Sequence, residues 1–181
     1  MPESAPPSGE VAALVAMQSA LADRPGVLTA ARALSHFGEH SIGWLVVALL
    51  GAVFMPARRR EWLVAGGGAF VAHAAAVLVK RVVRRQRPHH PAVAVNVATP
   101  SRLSFPSAHA TSTTAAALLI GRAAELPRAL SAAVLIPPMA LSRVLLGVHY
   151  PSDVAFGVAL GAAVGEIAGR SGERFRKGCA G

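Results

Sequence analysis

Five apolar runs succeed one another along this chain, at about 41–57, 62–80, 107–121, 129–147 and 152–169, and charged residues gather where the runs end. Backbone amides in hydrocarbon must be satisfied within the segment itself, so runs of this kind fold as helices. Composition agrees: the chain is 53% hydrophobic and 15% charged, against about 25% charged in soluble domains. A length of 181 residues suits one domain. The expected fold is all-α, a polytopic membrane helix bundle with about five transmembrane helices. Several runs fall short of the roughly 20 residues that cross a bilayer upright.

Ahead of the bundle, residues 1–9 are rich in Pro and Ser and read as a disordered tail. Val11, Leu14, Met17 and Leu21 then recur at helical spacing. That stretch is too short to cross and reads as an amphipathic helix at the interface or against the bundle. A second short helix is expected over about 26–38. Residues 10–38 are thus read as amphipathic helices, 41–169 as the catalytic bundle and 170–181 as a basic tail. Residues 1–10 hold no Lys or Arg and so lack the basic region of a signal peptide, which leaves insertion to the internal spans. The single cysteine, Cys179, can form no disulfide within the chain and no Cys-based metal site.

The formal charge is +9, carried by 16 Arg and 2 Lys. A basic balance can point to nucleic acid. Here the cations sit at run ends, where lipid headgroups or a phosphate substrate account for them better.

Three motifs carry the chemistry. The first is Lys80-x6-Arg87-Pro88. Lys80, Arg84 and Arg87 follow i, i+4, i+7 and share a face if the helix continues that far, with Pro88 ending it. Alone, this would be a snorkelling basic collar. The second motif, Pro106-Ser107-Ala108-His109, opens a run whose next residues, Thr111 to Thr114, are unusually polar. A helix start offers free amides to an anion; Ser107 can cap it, and His109 is placed to protonate a leaving oxygen. The third is Ser142-Arg143-x5-His149-x3-Asp153. Asp153 beside His149 fixes the imidazole tautomer and leaves the other nitrogen as a nucleophile, and the planar fork of Arg143 matches phosphate oxygens.

Only two aspartates occur in the chain, Asp23 and Asp153. No carboxylate cluster could hold Mg²⁺ or a two-metal centre, and the histidines lack a zinc spacing. The expected chemistry therefore uses no metal and no cofactor. His149 attacks phosphorus, His109 protonates the departing alcohol and then activates water. Lys80, Arg87, Arg143 and the amides at Ser107 and Ala108 hold the equatorial oxygens.

These residues resemble the type 2 phosphatidic acid phosphatase family, whose pattern is K-x6-RP, PSGH and SR-x5-H-x3-D. The gaps of 17 and 32 residues between the motifs also suit it. The resemblance covers roughly 41–169 and implies a membrane lipid phosphatase with His149 as nucleophile, Asp153 as its partner and His109 as acid/base. It implies Lys80, Arg87, Ser107 and Arg143 as phosphate binders. Ala108 stands where the family has Gly, a departure that matters if the position needs positive φ. The small Arg-rich form is similar to bacterial members acting on decaprenylphosphoryl-5-phosphoribose, on the route to the arabinose donor of arabinogalactan. Undecaprenyl diphosphate, phosphatidylglycerophosphate and phosphatidic acid are rival substrates. Vanadium haloperoxidases share the motifs but are larger and soluble. An anion-binding membrane protein or transporter without catalysis is the rival of another class.

The expected partners are a lipid phosphate and the bilayer, with no nucleic acid. All three motifs fall on one side of the membrane. Nine cations, among them Arg58, Arg59, Arg60, Arg122 and Arg128, fall on the other, and the positive-inside rule puts that side in the cytoplasm of a bacterial cell. The site then faces outward. Gly157, Gly161, Gly165 and Gly169 form a ridge at every fourth position, for packing within the bundle or, less favoured, for a homodimer, with Gly66-Gly67-Gly68 as a candidate partner surface. Pro137-Pro138 is expected to kink its helix. His73 reads as a packing histidine, His89 and His90 as loop residues or headgroup contacts, and Glu166 as a partner of a basic residue such as Arg170. Trp44 and Trp62 read as an interfacial belt.

Overall fold

A computed structural model describes residues 6–178, with side chains to 171. Cys179 lies outside the described residues, as do residues 1–5 of the expected tail. Seven helices follow in order: α1 (Gly9–Leu21), α2 (Val27–Phe37), α3 (Ile42–Phe54), α4 (Arg59–Val83), α5 (Ala108–Ala123), α6 (Arg128–Leu145) and α7 (Pro151–Gly178). The stretch beyond residue 169, expected as a tail, continues α7 to Gly178.

The bundle is built around α5, with α4, α6 and α7 packed on it. Its sequence explains this place: most residues from Ala108 to Ala123 are small, and 12 of the 16 are buried. Small side chains let neighbouring backbones come close. A Cβ on Gly161 would stand 2.2 Å from the Thr111 carbonyl oxygen, and one on Gly157 would stand 2.8 Å from that of Ser107. The glycine ridge of α7 therefore packs on α5 of the same chain. A homodimer would need a different face. The Gly66–Gly68 run meets other neighbours first: Gly66 approaches Ala48 of α3, and Gly68 approaches Leu119 of α5 and, less closely, Ala168 of α7. The hydroxyls of α5 close on their own helix, Thr111 Oγ1 on the Ser107 carbonyl and Thr114 Oγ1 on that of Ala110, both at 2.8 Å. Its polar first turn is thereby satisfied without water.

By length and composition three helices can cross a membrane, those at Pro56–Val83, Arg128–Leu145 and Pro151–Ser171. The pair of α2 and α3, bent by 52° at the break between them, passes the same test together and brings the candidate spans to three or four. This is fewer than five because α5, with 16 residues, reaches only about 24 Å. The run at 41–57 and the helix at 26–38, expected as separate features, form that bent pair. Large apolar side chains such as Leu49, Leu63, Phe70, Val82 and Ile167 lie exposed on the outside, which a bilayer covers.

Helix α1 docks against the bundle: Leu14 is fully buried with Ala110, Val144 and Val154. Gln18 fastens it, donating from Nε2 to the Ala94 and Leu145 carbonyls at 2.7 and 2.9 Å. Helix α6 runs unbroken through Pro137 and Pro138.

Two smaller expectations are corrected. Trp44 and Trp62 are both buried, so they are core residues, not a belt; Trp44 Nε1 donates to Thr113 Oγ1 at 3.1 Å. Glu166 pairs with Arg128 of α6, not with Arg170. On the same side of the bundle Arg58 pairs with Glu125.

Candidate active site

The ends of α4 and α6 and the starts of α5 and α7 converge beneath the loop 84–107, so the three motifs meet as their spacing requires. A cavity of about 420 Å³ opens there, with Lys80, Arg87, Ala108, His109, Arg143 and His149 in its wall.

Helix α4 stops at Val83, and Arg84 turns the chain with a left-handed φ of 56°. Arg84 is exposed, so it does not share a face with Lys80 and Arg87. The chain leaves extended instead. Gln86 bridges to Leu103, Arg87 N donates to the Arg102 carbonyl, and Ser104 N donates to that of Arg85. Extended backbone alternates sides every residue, so Arg85 and Arg87 turn inward together. Arg87 Nε donates to the Ser101 carbonyl at 2.8 Å and Nη1 to that of Val148 at 2.6 Å. Burial pushes the Arg87 guanidinium down to about 10, which leaves it charged at neutral pH. Lys80 Nζ donates to the Leu103 carbonyl at 3.0 Å.

Arg143, near the end of α6, is 2% exposed. Its Nη1 donates to Ser35 Oγ at 2.7 Å, while its Nε has no hydrogen-bond partner among the described residues. Gly147 then turns the chain with φ +71°, and a Cβ there would stand 2.3 Å from the Ala94 carbonyl oxygen. This turn brings His149 into the cavity wall, with its Nε2 3.4 Å from Arg87 Nη1 and its Nδ1 3.6 Å from Asp153 Oδ2. Burial, followed by the charges of Arg143, Arg87 and Lys80, holds the His149 imidazole well below its ordinary value. It is therefore neutral at pH 7.

Asp153, fully buried in the first turn of α7, accepts from Tyr150 N at 2.9 Å and from Arg85 Nη1 at 2.9 Å. Arg85 was not singled out in the sequence. It also donates to Ser152 Oγ and Glu10 Oε2, both at 2.7 Å, and lies over the Tyr150 ring at 4.0 Å. A period-two reading of the residues before Pro88 would have found it.

His109 Nε2 is 2.9 Å from the Ser35 carbonyl oxygen. A carbonyl only accepts, so Nε2 carries the hydrogen and Nδ1 is the unprotonated nitrogen. Ser107 caps α5, its Oγ accepting from Ala110 N at 3.4 Å. It is fully buried behind the cavity wall and does not line it. Ala108 lines the cavity as the first residue of α5 and is not among the positive-φ residues. The backbone at this position therefore has no need of the family glycine.

His73, expected as a packing residue, instead lines the cavity, with its ring centroid 5.8 Å from that of His40. Ser35, His36, Glu39 and His40, at the end of α2 and in the turn after it, line it as well. No motif announced them. His89 and His90 lie in the loop away from the cavity wall.

Three cations thus face one cavity, while the single buried carboxylate nearby is already held by Arg85. Buried charges need partners, and the ligand that supplies them is an anion with several oxygens. Among the described residues, no three of His, Cys, Asp and Glu gather as metal ligands.

A profile of the PAP2 superfamily matches residues 61–174. Decaprenylphosphoryl-5-phosphoribose phosphatase of Mycobacterium tuberculosis (strain CDC 1551 / Oshkosh) is 73% identical over 174 residues, covering 94% of this chain and 97% of its own length. The protein of that name from Mycolicibacterium smegmatis is 68% identical over 151 residues, covering 83% and 82%. Among solved structures, a PAP2-type phosphatidylglycerolphosphate phosphatase from Bacillus subtilis superposes with a TM-score of 0.70 at 20% identity, over 90% of this chain and 86% of that one. LpxE of Aquifex aeolicus gives 0.60 at 19%, over 88% and 93%. At such identities these two structures speak for the fold alone.

Proposed function

The chain belongs to the PAP2 superfamily and is a membrane phosphatase, and we propose that it removes the 5-phosphate of decaprenylphosphoryl-5-phosphoribose without a metal ion. The substrate reading is supported by relatives of that name at 73% and 68% identity. The single observation that carries the mechanism is the juxtaposition of His149 Nε2 with the buried cations. The nitrogen lies 3.4 Å from Arg87 Nη1 in the cavity that Lys80 and Arg143 also line.

In this mechanism Lys80, Arg87 and Arg143 hold the three non-bridging oxygens, with the first amides of α5 near Ser107 and Ala108 behind them. His149 Nε2 attacks phosphorus as the phosphorus–oxygen bond to C5 of the ribose breaks. The substrate binds as its monoanion and passes its phosphate proton to His109 Nδ1, from which the leaving oxygen takes it. Asp153 faces the Nδ1 side of His149 and stabilises the charge the ring gains. Water then attacks phosphorus, giving a proton to His109 Nδ1 as the phosphorus–nitrogen bond breaks, and phosphate and neutral His149 are released. Every charge that develops meets a fixed cation or carboxylate.

The site is proposed to face the outside of the cell. The end of the bundle opposite the motifs carries nine cations, as the cytoplasmic side should. An alkaline phosphatase fused after residue 181 should stay inactive; an active fusion would reverse the orientation.

The test of function is phosphate release by purified protein in EDTA from decaprenylphosphoryl-5-phosphoribose, undecaprenyl diphosphate, phosphatidylglycerophosphate and phosphatidic acid, with His149→Ala alongside. Fastest release from the ribosyl lipid, abolished in the variant, supports the reading. Dependence on added metal overturns the mechanism, and faster release from another lipid overturns the substrate.

A further inference from the structure

We propose that the part of the cavity lined by Glu39, His40 and His73 is a second polar subsite, which takes the sugar of the substrate and the phosphodiester joining it to the lipid. This deepens the substrate reading above and rests on it.

The cavity does not end at the three cations. His73, Val77 and Lys80 all line it, and at i, i+4 and i+7 they share one face of α4. The cavity therefore follows α4 from Lys80 back to His73, about 10 Å along the helix axis. That direction leads from the site toward the hydrocarbon. Ionisable side chains at such depth are expensive and mark function. His73 Nδ1 is buried and has no hydrogen-bond partner among the described residues.

Opposite His73 stands the break between α2 and α3. His40 and Ser41 there are successive non-glycine residues with left-handed backbone, φ 49° and 62°. Left-handed backbone is costly for residues with a Cβ, and strain of this kind persists where the surrounding structure holds it in place. Here it sets the polar pair Glu39 and His40 against α4, where a straight helix from α2 into α3 would present an ordinary membrane face.

A substrate with its phosphate directly on a prenyl chain would lay methyl groups against a carboxylate and two imidazoles. A ribose between two phosphates fits instead: its hydroxyls donate to Glu39, and the diester oxygens accept from His40 and His73. The apolar tail then continues into the bilayer.

The test compares kcat/KM on decaprenylphosphoryl-5-phosphoribose and on decaprenyl monophosphate, which lacks the sugar and the diester, for the wild type, His73→Phe and Glu39→Gln. The ratio of ribosyl to simple lipid should fall about tenfold or more in each variant, because unpairing a polar contact weighs on the one substrate that makes it. Glu39→Gln is isosteric and sits at the half-exposed rim, so its ratio is readable even if His73→Phe disturbs the bundle. A Glu39→Gln ratio within about twofold of a wild type that prefers the ribosyl lipid overturns the subsite alone, being far below the expected discrimination. A wild type with no such preference overturns the substrate reading and the subsite with it.

Discussion

Arg85 Nη1 lies 2.9 Å from Asp153 Oδ1, and it is the only cation salt-bridged to that carboxylate among the described residues. The carboxylate is fully buried and faces the Nδ1 side of His149. Arg85 itself does not line the cavity. It acts on the proposed nucleophile through Asp153.

Replacing Arg85 with Ala should therefore lower kcat and leave KM nearly unchanged. The expected loss is about 10- to 100-fold, the size seen when a group that orients a ligand from behind is removed. Arg85→Lys keeps the charge but not the fork that reaches Asp153, Ser152 and Glu10 together, and should recover part of the loss. A rise in KM at constant kcat would show that Arg85 meets the substrate directly.

Arg143→Lys tests the planar fork. Arg143 Nη1 is fixed by Ser35 Oγ at 2.7 Å, and a lysine cannot hold that bond and a phosphate in the same geometry. Competitive inhibition by inorganic phosphate should weaken about tenfold or more, in line with the loss of one charge-assisted hydrogen bond. Unchanged inhibition would remove Arg143 from the anion site.

The neutrality of His149 has a consequence for stability. In the unfolded chain an imidazole titrates at about 6.5; in the fold, burial and the neighbouring cations hold His149 well below that. Above about 6.5 both states are neutral and the contribution of His149 is fully present. Below it the unfolded chain binds a proton that the fold refuses, so stability falls with pH toward the folded value. The thermal midpoint in detergent should drop more between about pH 7 and pH 5 for the wild type than for His149→Gln. Parallel curves would mean that His149 protonates freely in the fold.

Two glycines of the bundle should respond in opposite ways to Ala. Gly161 has a carbonyl oxygen 2.2 Å from where its Cβ would go, whereas Gly67 has nothing within 4 Å. Gly161→Ala should destabilise by about 1–3 kcal/mol through overpacking. Gly67→Ala should stabilise by about 0.5–1 kcal/mol through helix propensity. Equal midpoints for the two variants would contradict the close approach of α5 and α7.

The proposed catalytic constellation is legible because each motif sits at a helix end, and alternating helices bring such ends to one side. Lys80, Arg87, His109, Arg143, His149 and Asp153 all fall where their spacing sent them. Arg84 was misread because helical periodicity was carried past the point where Pro88 already demands extended backbone; the inward partner of Arg87 is Arg85. Ser107 read as both a helix cap and a phosphate ligand; it caps α5, and its buried hydroxyl lies outside the cavity wall. The contribution of Ser35, Glu39 and His40 had no signature, since it depends on a bend between α2 and α3 that short apolar helices do not announce. Trp44 and Trp62 were misplaced for a related reason: position near a run end says nothing about which way an indole points.

Glu10 accepts from Ser152 N at 2.8 Å across 142 residues of sequence, joining the first helix to the start of the last. At about 5–20 residues per second, a ribosome needs roughly 7–30 s to make the chain between them. For most of that interval α1 lacks α6, and throughout it α1 lacks α7, while Arg85, made earlier, has no Asp153 to hold. The His149–Asp153 pair is complete only once the final helix has begun. A nascent chain halted before α7 therefore lacks both the carboxylate proposed to serve His149 and the contact that holds its first helix to its last.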